Sequence, residues 1–104
     1  MTAERSIEVH ALHWRGVDIE ITFERNWLSI MRSDERAVAH LTVTAKRREH
    51  LPITETGFRS HFLHPSEVAA EGGPAGYVSA WLDCMARSAE WLALEQSSRQ
   101  LSLF

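Results

Sequence analysis

Two histidines and a glutamate lie within seven residues, at His61, His64 and Glu67. Such side chains bind catalytic zinc, which takes three protein ligands and leaves one position open. Zinc proteases place the two histidines four apart on one helix, with a glutamate beside the first. Here the histidines are three apart, and Pro65 separates them from the next predicted helix. We therefore favour the interpretation that these histidines cap and flank a turn. A small metal-dependent hydrolase around His61 and His64 ranks third among our hypotheses for function.

A second group of polar side chains surrounds Gly57, within residues 53–62. This stretch resembles one found in short uncharacterised bacterial proteins, a likeness that implies no activity. One interpretation is a recognition loop, in which Arg59 binds a carboxylate or phosphate while Phe58 and Phe62 anchor a partner. The favoured interpretation is a turn whose polar groups bond to local backbone while both phenylalanines enter the core. The candidate recognition residues are Thr54, Glu55, Thr56, Phe58, Arg59 and His61.

Other reactive groups give little support to catalysis. Cys84 lies within a predicted helix, where a buried structural thiol is the default. The glycine-rich stretch 72–76 lacks the lysine and hydroxyl of a nucleotide-binding loop, and Pro74 removes an amide. We therefore predict a protein that is not an enzyme, with no catalytic residue, metal or cofactor.

The chain finishes with Gln100, Leu101, Ser102, Leu103 and Phe104. At ordinary residue frequencies, a string of this kind arises by chance on the order of once per million. The two leucines and the phenylalanine follow a polar stretch and have no element of their own to bury them. This segment resembles the Gln-Leu-(Ser or Asp)-Leu-Phe pentapeptide with which bacterial replication and repair proteins dock on the DNA sliding clamp.

The resemblance implies a role for each of the five residues. Gln100 would be held by hydrogen bonds, Leu101 would pack along the groove, and Ser102 would be largely a spacer. Leu103 and Phe104 would enter an apolar pocket of the clamp. We therefore predict a non-enzymatic module that docks on the clamp as an accessory or regulator of replication or repair. The alternative is a small protein-binding or regulatory domain unrelated to replication, with residues 100–104 packed on its own core.

Composition restricts the partners and the compartment. The 104 residues carry a formal net charge of −3, so no global basic field would hold the chain on nucleic acid. A single cysteine suits a reducing compartment, and neither a signal peptide nor a membrane span is evident. We expect a cytoplasmic protein that binds neither nucleic acid directly nor a membrane.

The first half of the chain has the alternation of antiparallel strands. Residues 17–24 place apolar and polar side chains on opposite faces, and residues 6–24 form a predicted hairpin that turns at Arg15-Gly16. Residues 39–45 alternate in the same way and predict a third strand. Residues 51–56 could form a short fourth strand, which Pro52 would confine to an edge. Residues 25–36 read as an irregular excursion that carries Trp27.

The last third has helical spacing. Pro65 begins a predicted short helix that stops at Gly72, and a long helix is predicted over residues 75–96 with one apolar stripe. Together these elements predict an α+β fold, in which a three- or four-stranded antiparallel meander packs against one long C-terminal helix. We predict one globular domain over residues 1–96 and a polar linker with the docking segment over 97–104. The predicted core residues are Ile19, Ile21, Phe23, Trp81, Leu82 and Met85.

Overall fold

The computed structural model describes residues 7–25 and 37–102, with side chains through Ser97. Four antiparallel strands lie side by side in chain order, namely β1 (Ile7–Trp14), β2 (Val17–Glu24), β3 (Ala39–Ala45) and β4 (Phe58–Leu63). Three helices follow, namely α1 (Pro65–Ala70), α2 (Pro74–Met85) and α3 (Ala89–Ser102). The predicted α+β fold with an N-terminal meander is confirmed. The predicted excursion at Trp27 lies outside the described residues.

The β1–β2 hairpin turns at Arg15-Gly16, as the sequence predicts, and the turn has two residues. Arg15 and Gly16 have φ angles of 46° and 84°. Positive φ at both central positions is typical of the type I′ turn, whose twist matches that of the flanking strands. The turn sets the register in which Trp14 pairs with Val17.

One face of the sheet and one side of α2 form the core. Ile19, Ile21 and Phe23 of β2 lie on this face and are buried, as predicted. The odd-numbered residues of β3 join them, and α2 adds Val78 and Leu82, four residues apart on one side of the helix. Burying each large aliphatic side chain contributes about 1.5–3 kcal/mol.

The fourth strand lies further along the chain than predicted, at Phe58–Leu63 instead of residues 51–56. Leu51 and Thr54 instead exchange backbone hydrogen bonds across a tight turn, with N···O distances of 2.9 and 3.0 Å. Pro52 cannot donate to a strand ladder, which is why residues 51–56 do not extend one. The true strand escaped notice because its core-facing positions include Arg59, a residue more typical of a solvent face.

The predicted long helix is in fact two helices. α2 ends at Met85, and α3 begins at Ala89 and continues to Ser102, past the predicted end at Gln96. Ser88 explains the new start, because its hydroxyl accepts a hydrogen bond from the Trp91 amide at 3.1 Å. The backbone therefore stays helical into the stretch predicted as a linker.

The break also changes which side chains are buried. Met85 was predicted to be core and Cys84 to be a buried thiol, yet both are exposed. Trp81 is half-buried and packs at the margin of the core. The apolar stripe does not stay covered along its whole length, because Leu82 and Ala86 are buried whereas Met85, Leu92 and Leu94 are exposed. Within the described residues, no helix has the length and apolarity that a membrane crossing requires.

Candidate functional site

A cleft of about 760 Å³ lies where β4 begins and where α2 gives way to α3. We call it the Arg59 cleft. Three separate parts of the chain form it, namely residues 50–55, residues 58–59 and the junction at residues 85–91. Four of the six candidate recognition residues line it, and these are Thr54, Glu55, Phe58 and Arg59. Thr56 and His61 do not line it.

Arg59 supplies the cationic group of the cleft. One terminal nitrogen of its guanidinium donates to the carbonyl of Ile53 at 3.3 Å, and its central carbon lies 5.6 Å from the centre of the Trp81 ring. Both contacts orient the side chain, and an arginine over a tryptophan face gains a cation–π attraction. A guanidinium has five N–H donors. The remaining donors can bind a carboxylate or a phosphate in the cleft.

The walls of the cleft combine apolar and polar side chains. Met85 is 40% exposed, and Leu51 and Ile53 of the lining are buried. Large exposed apolar side chains around a few polar groups are typical of binding sites. The carboxylates of Glu55 and Glu90 share this lining with Arg59, so the cleft presents charges of both signs.

Trp91 at the start of α3 forms part of the cleft wall and is held by other aromatic rings. Its ring centre lies 6.2 Å from that of Trp14 and 5.9 Å from that of His50. Among the described residues, its Nε1 is the buried side-chain polar atom that lacks a hydrogen-bond partner. An unpaired buried donor costs free energy, so Trp91 is placed by ring packing and not by hydrogen bonding.

The loop that leads into β4 is built as the favoured interpretation predicts, except for its phenylalanines. The Thr54 hydroxyl donates to the carbonyl of Phe58 at 2.7 Å, and the Thr56 amide donates to the Thr54 hydroxyl at 3.3 Å. These bonds to local backbone shape the turn. The prediction that Phe58 and Phe62 enter the core is wrong, because both rings lie on the opposite face of the sheet and are 44% and 50% exposed.

His61 lies on the core-facing side of β4, in a cluster of aromatic rings. Its ring centre is 4.7 Å from that of Trp81, and its Nε2 is 3.5 Å from the hydroxyl of Tyr77. Burial lowers the pKa of His61 below 6.5, and the nearby Arg59 charge lowers it further against the opposing effect of Glu67. Burial likewise raises the pKa of Tyr77. A neutral imidazole and a neutral phenol form a stacking surface at physiological pH.

His64 caps α1, as predicted for a histidine that flanks a turn. Its Nδ1 accepts from the Ser66 amide at 3.1 Å, and its own amide donates to the Glu67 carboxylate at 3.1 Å. His61 instead packs on α2, so the two histidines serve different elements. In the two described stretches, no three histidine, cysteine, aspartate or glutamate side chains are grouped so as to hold a metal ion.

The predicted docking segment begins in the last turn of α3. The backbone of Gln100, Leu101 and Ser102 is helical, and Leu103 and Phe104 lie outside the described residues. The first turn of α3 is attached to the domain through Trp91. Glu95 lies one turn further on, with its carboxylate 3.6 Å from the Arg15 guanidinium.

Sequence reasoning missed the contribution of the helix junction to the cleft. Met85, Ser88 and Trp91 line the cleft, yet the apolar spacing runs on through them as if one helix continued. A serine followed by acidic Glu90 in the next turn is a signal for a helix start, and it could have located the break.

Comparison with known proteins identifies the family of this fold. The chain matches the model of the KlcB third domain over residues 7–91. The matched span contains the four strands, α1, α2 and the first turn of α3, and it stops before Gln100. No curated protein and no solved structure matches the chain. Because the match covers most of its length, including the whole sheet and the Arg59 cleft, the chain belongs to the KlcB third domain family.

Proposed function

We propose that this protein docks on the bacterial DNA sliding clamp through Gln100–Phe104, in the cytoplasm, as an accessory or regulator of replication or repair. The observation that carries the proposal is the agreement of all five residues with the Gln-Leu-(Ser or Asp)-Leu-Phe pentapeptide. The partner is the clamp and not DNA, because the net charge of −3 provides no basic field for a polyanion.

The position of the segment on α3 supports access to a partner. Gln100 lies nine residues beyond Trp91, which corresponds to about 14 Å along a helix at 1.5 Å per residue. Trp91 packs on the domain, whereas Leu92 and Leu94 beyond it are exposed. Exposed leucines this close to the segment show that α3 is not covered along its length by the described part of the domain, which supports access of a partner to this end of the chain.

In this proposal, Leu103 and Phe104 supply most of the binding free energy. Small interfaces concentrate their energy in a few apolar anchors that become fully buried. Each large side chain transferred from water to a pocket contributes about 1.5–3 kcal/mol. Gln100 sets the register by hydrogen bonding, Leu101 packs along the groove, and Ser102 is a spacer. A peptide of residues 97–104 should therefore bind with micromolar affinity, about −8 kcal/mol.

The proposal is tested by calorimetric titration of the full chain against a purified bacterial clamp. Combined Leu103→Ala and Phe104→Ala substitutions should abolish detectable binding, and Ser102→Asp should leave it nearly unchanged. The matched control combines Leu92→Ala with Leu94→Ala, which removes exposed leucines from the same helix outside the segment. That control should bind like the unmodified chain. Equal binding by a chain without residues 100–104 would refute the proposal.

The Arg59 cleft is the second candidate surface, consistent with a protein-binding domain unrelated to replication. Its support is a cleft lined by the oriented Arg59 guanidinium, exposed Met85 and the carboxylates of Glu55 and Glu90, a combination that suits a peptide with both charged and apolar side chains. Amide chemical-shift mapping during the clamp titration separates the two candidates. Changes at residues 100–104 support clamp docking, whereas a chain whose amide shifts do not respond to the clamp leaves the cleft as the candidate binding surface.

A further inference from the structure

β1 forms an edge of the sheet, and its outward-facing backbone groups can be assigned from the pairing. Lys46 donates its amide to the carbonyl of Asp18 at 2.9 Å, so Asp18 directs its backbone groups toward β3. Its partner on β1, His13, therefore directs its own groups away from β2. Because hydrogen-bonded and non-bonded pairs alternate along an antiparallel ladder, every second residue of β1 likewise directs its backbone groups away from β2. Among the described strands none pairs with this side of β1, so its outward ladder consists of the backbone groups of Ile7, Val9, Ala11 and His13.

The side chains of the same residues lie on the sheet face opposite the helices. Ile7 is 53% exposed and Val9 is 63% exposed, and Ala11 continues the apolar row. Proteins normally protect a sheet edge with proline, a bulge, lysine or a covering segment. β1 has neither proline nor lysine in eight residues, and it pairs without interruption along β2. It is thus a regular edge with an apolar row beside it.

We propose that the occupant of this edge is β1 of a second copy of the chain, paired antiparallel about a two-fold axis at Val9. The two sheets then become one continuous sheet. In this register Val9 lies opposite Val9 of the other copy, and Ile7 lies opposite Ala11. The apolar rows of the two copies meet across the junction, and their outward backbone groups bond to each other.

Charge selects this register over its neighbours. Glu8 lies opposite His10 of the other copy, so two carboxylate–imidazole pairs flank the axis. Within one chain these two side chains already lie in contact, with His10 Nε2 and Glu8 Oε1 2.9 Å apart. A shift by two residues in one direction would place Glu8 opposite Glu8, and like charges directly opposite each other destabilise a strand pair. A shift in the other direction would place Ile7 opposite His13 and so break the apolar row.

The association is tested by sedimentation velocity of the full chain at increasing concentration. A contact along one strand is small, so the dimer should form with a dissociation constant in the micromolar range or above. Val9→Lys places two ammonium groups on the axis and should weaken dimerisation at least tenfold. Glu20→Lys is the matched control, because Glu20 is exposed on the same face but on the inner strand β2, and it should dimerise normally. A chain that stays monomeric up to about 1 mM, or a Val9→Lys variant that dimerises normally, overturns the proposal.

The register is tested by oxidative crosslinking in a Cys84→Ser background. Val9→Cys should crosslink readily, because residues opposite each other in a bonded pair have Cα atoms about 5.5 Å apart, within reach of a disulfide. His13→Cys should not, since the two copies of residue 13 are then eight positions apart, roughly 26 Å. Crosslinking of both variants to the same extent, or of His13→Cys alone, contradicts the proposed register.

Discussion

Gly57 connects the loop of the Arg59 cleft to β4, and replacing it with alanine should be much more damaging than the same change at Gly72. Both glycines have a left-handed backbone, with φ of 80° at Gly57 and 84° at Gly72. They differ in the space around them. A Cβ on Gly57 would lie 2.7 Å from backbone carbons of Arg48, whereas nothing lies within 4 Å of a Cβ on Gly72.

The size of the difference in stability follows from the backbone conformation at each glycine and from the space around it. The left-handed conformation costs an L-residue about 1–2 kcal/mol, and loss of unfolded-state freedom returns about 0.4–1 kcal/mol at both sites. Gly72→Ala should therefore lower the free energy of unfolding by about 1 kcal/mol. Gly57→Ala adds overpacking against rigid backbone, which typically costs about 1–3 kcal/mol more. In a domain of this size, each kcal/mol corresponds to about 4–8 °C in the melting temperature.

Urea unfolding of the two variants beside the unmodified chain measures this difference directly. Hydrogen exchange provides a local measurement, because the Ala45 amide donates to the carbonyl of Gly57 at 2.7 Å. We expect faster exchange at Ala45 in Gly57→Ala and unchanged exchange in Gly72→Ala. Equal losses of stability in the two variants, within about 0.5 kcal/mol, would show that the close approach to Arg48 does not constrain the loop.

Two further predictions concern the contacts that support the cleft. Asp83→Ala removes the carboxylate that accepts a hydrogen bond from the buried Trp14 Nε1 at 2.9 Å. It should lower the free energy of unfolding by about 1–3 kcal/mol. In a chain that already carries Trp14→Phe, the same substitution should lower it much less. A double-mutant cycle by urea unfolding checks this, and additivity within about 0.5 kcal/mol would contradict it. Burial lowers the pKa of His61 below 6.5 in the folded state, so the folded state binds a proton at His61 less readily than the unfolded state does. His61 should therefore stabilise the fold above pH 6.5, and this stability should be lost as the pH falls from 6.5 through the folded-state pKa. His61→Gln should reduce that pH dependence, as measured by unfolding at a series of pH values, and an unchanged slope would exclude His61 as its source.

Local patterns were enough to predict much of the fold. The alternation over residues 17–24 and 39–45 predicted two strands, and Arg15-Gly16 predicted the hairpin turn, because strand period and turn conformation depend on adjacent residues. Pro65 and Gly72 similarly bounded α1. The resemblance of residues 100–104 to a docking peptide also belongs to the sequence alone, and it stays a prediction.

Which face of β1 is buried could not be predicted in the same way. The sequence of β1 does not show which of its two faces is buried, and pairing with β2 directs Trp14 and Leu12 to the core and leaves Ile7 and Val9 exposed. Which face of an amphipathic strand is buried depends on what packs against it, and this is a property of the whole sheet.

The same limit applies to the helix junction and to β4. Met85 continues a helical stripe in sequence, but the stripe is buried only as far as the sheet extends beneath it, and the turn at Ser88 ends that contact. Arg59 and His61 look like solvent-facing residues of a loop until β4 pairs with β3 and brings them against Trp81. Sequence spacing determines contacts within an element, whereas contacts between residues 50–59 and 85–91 exist only once the sheet and helices have packed together.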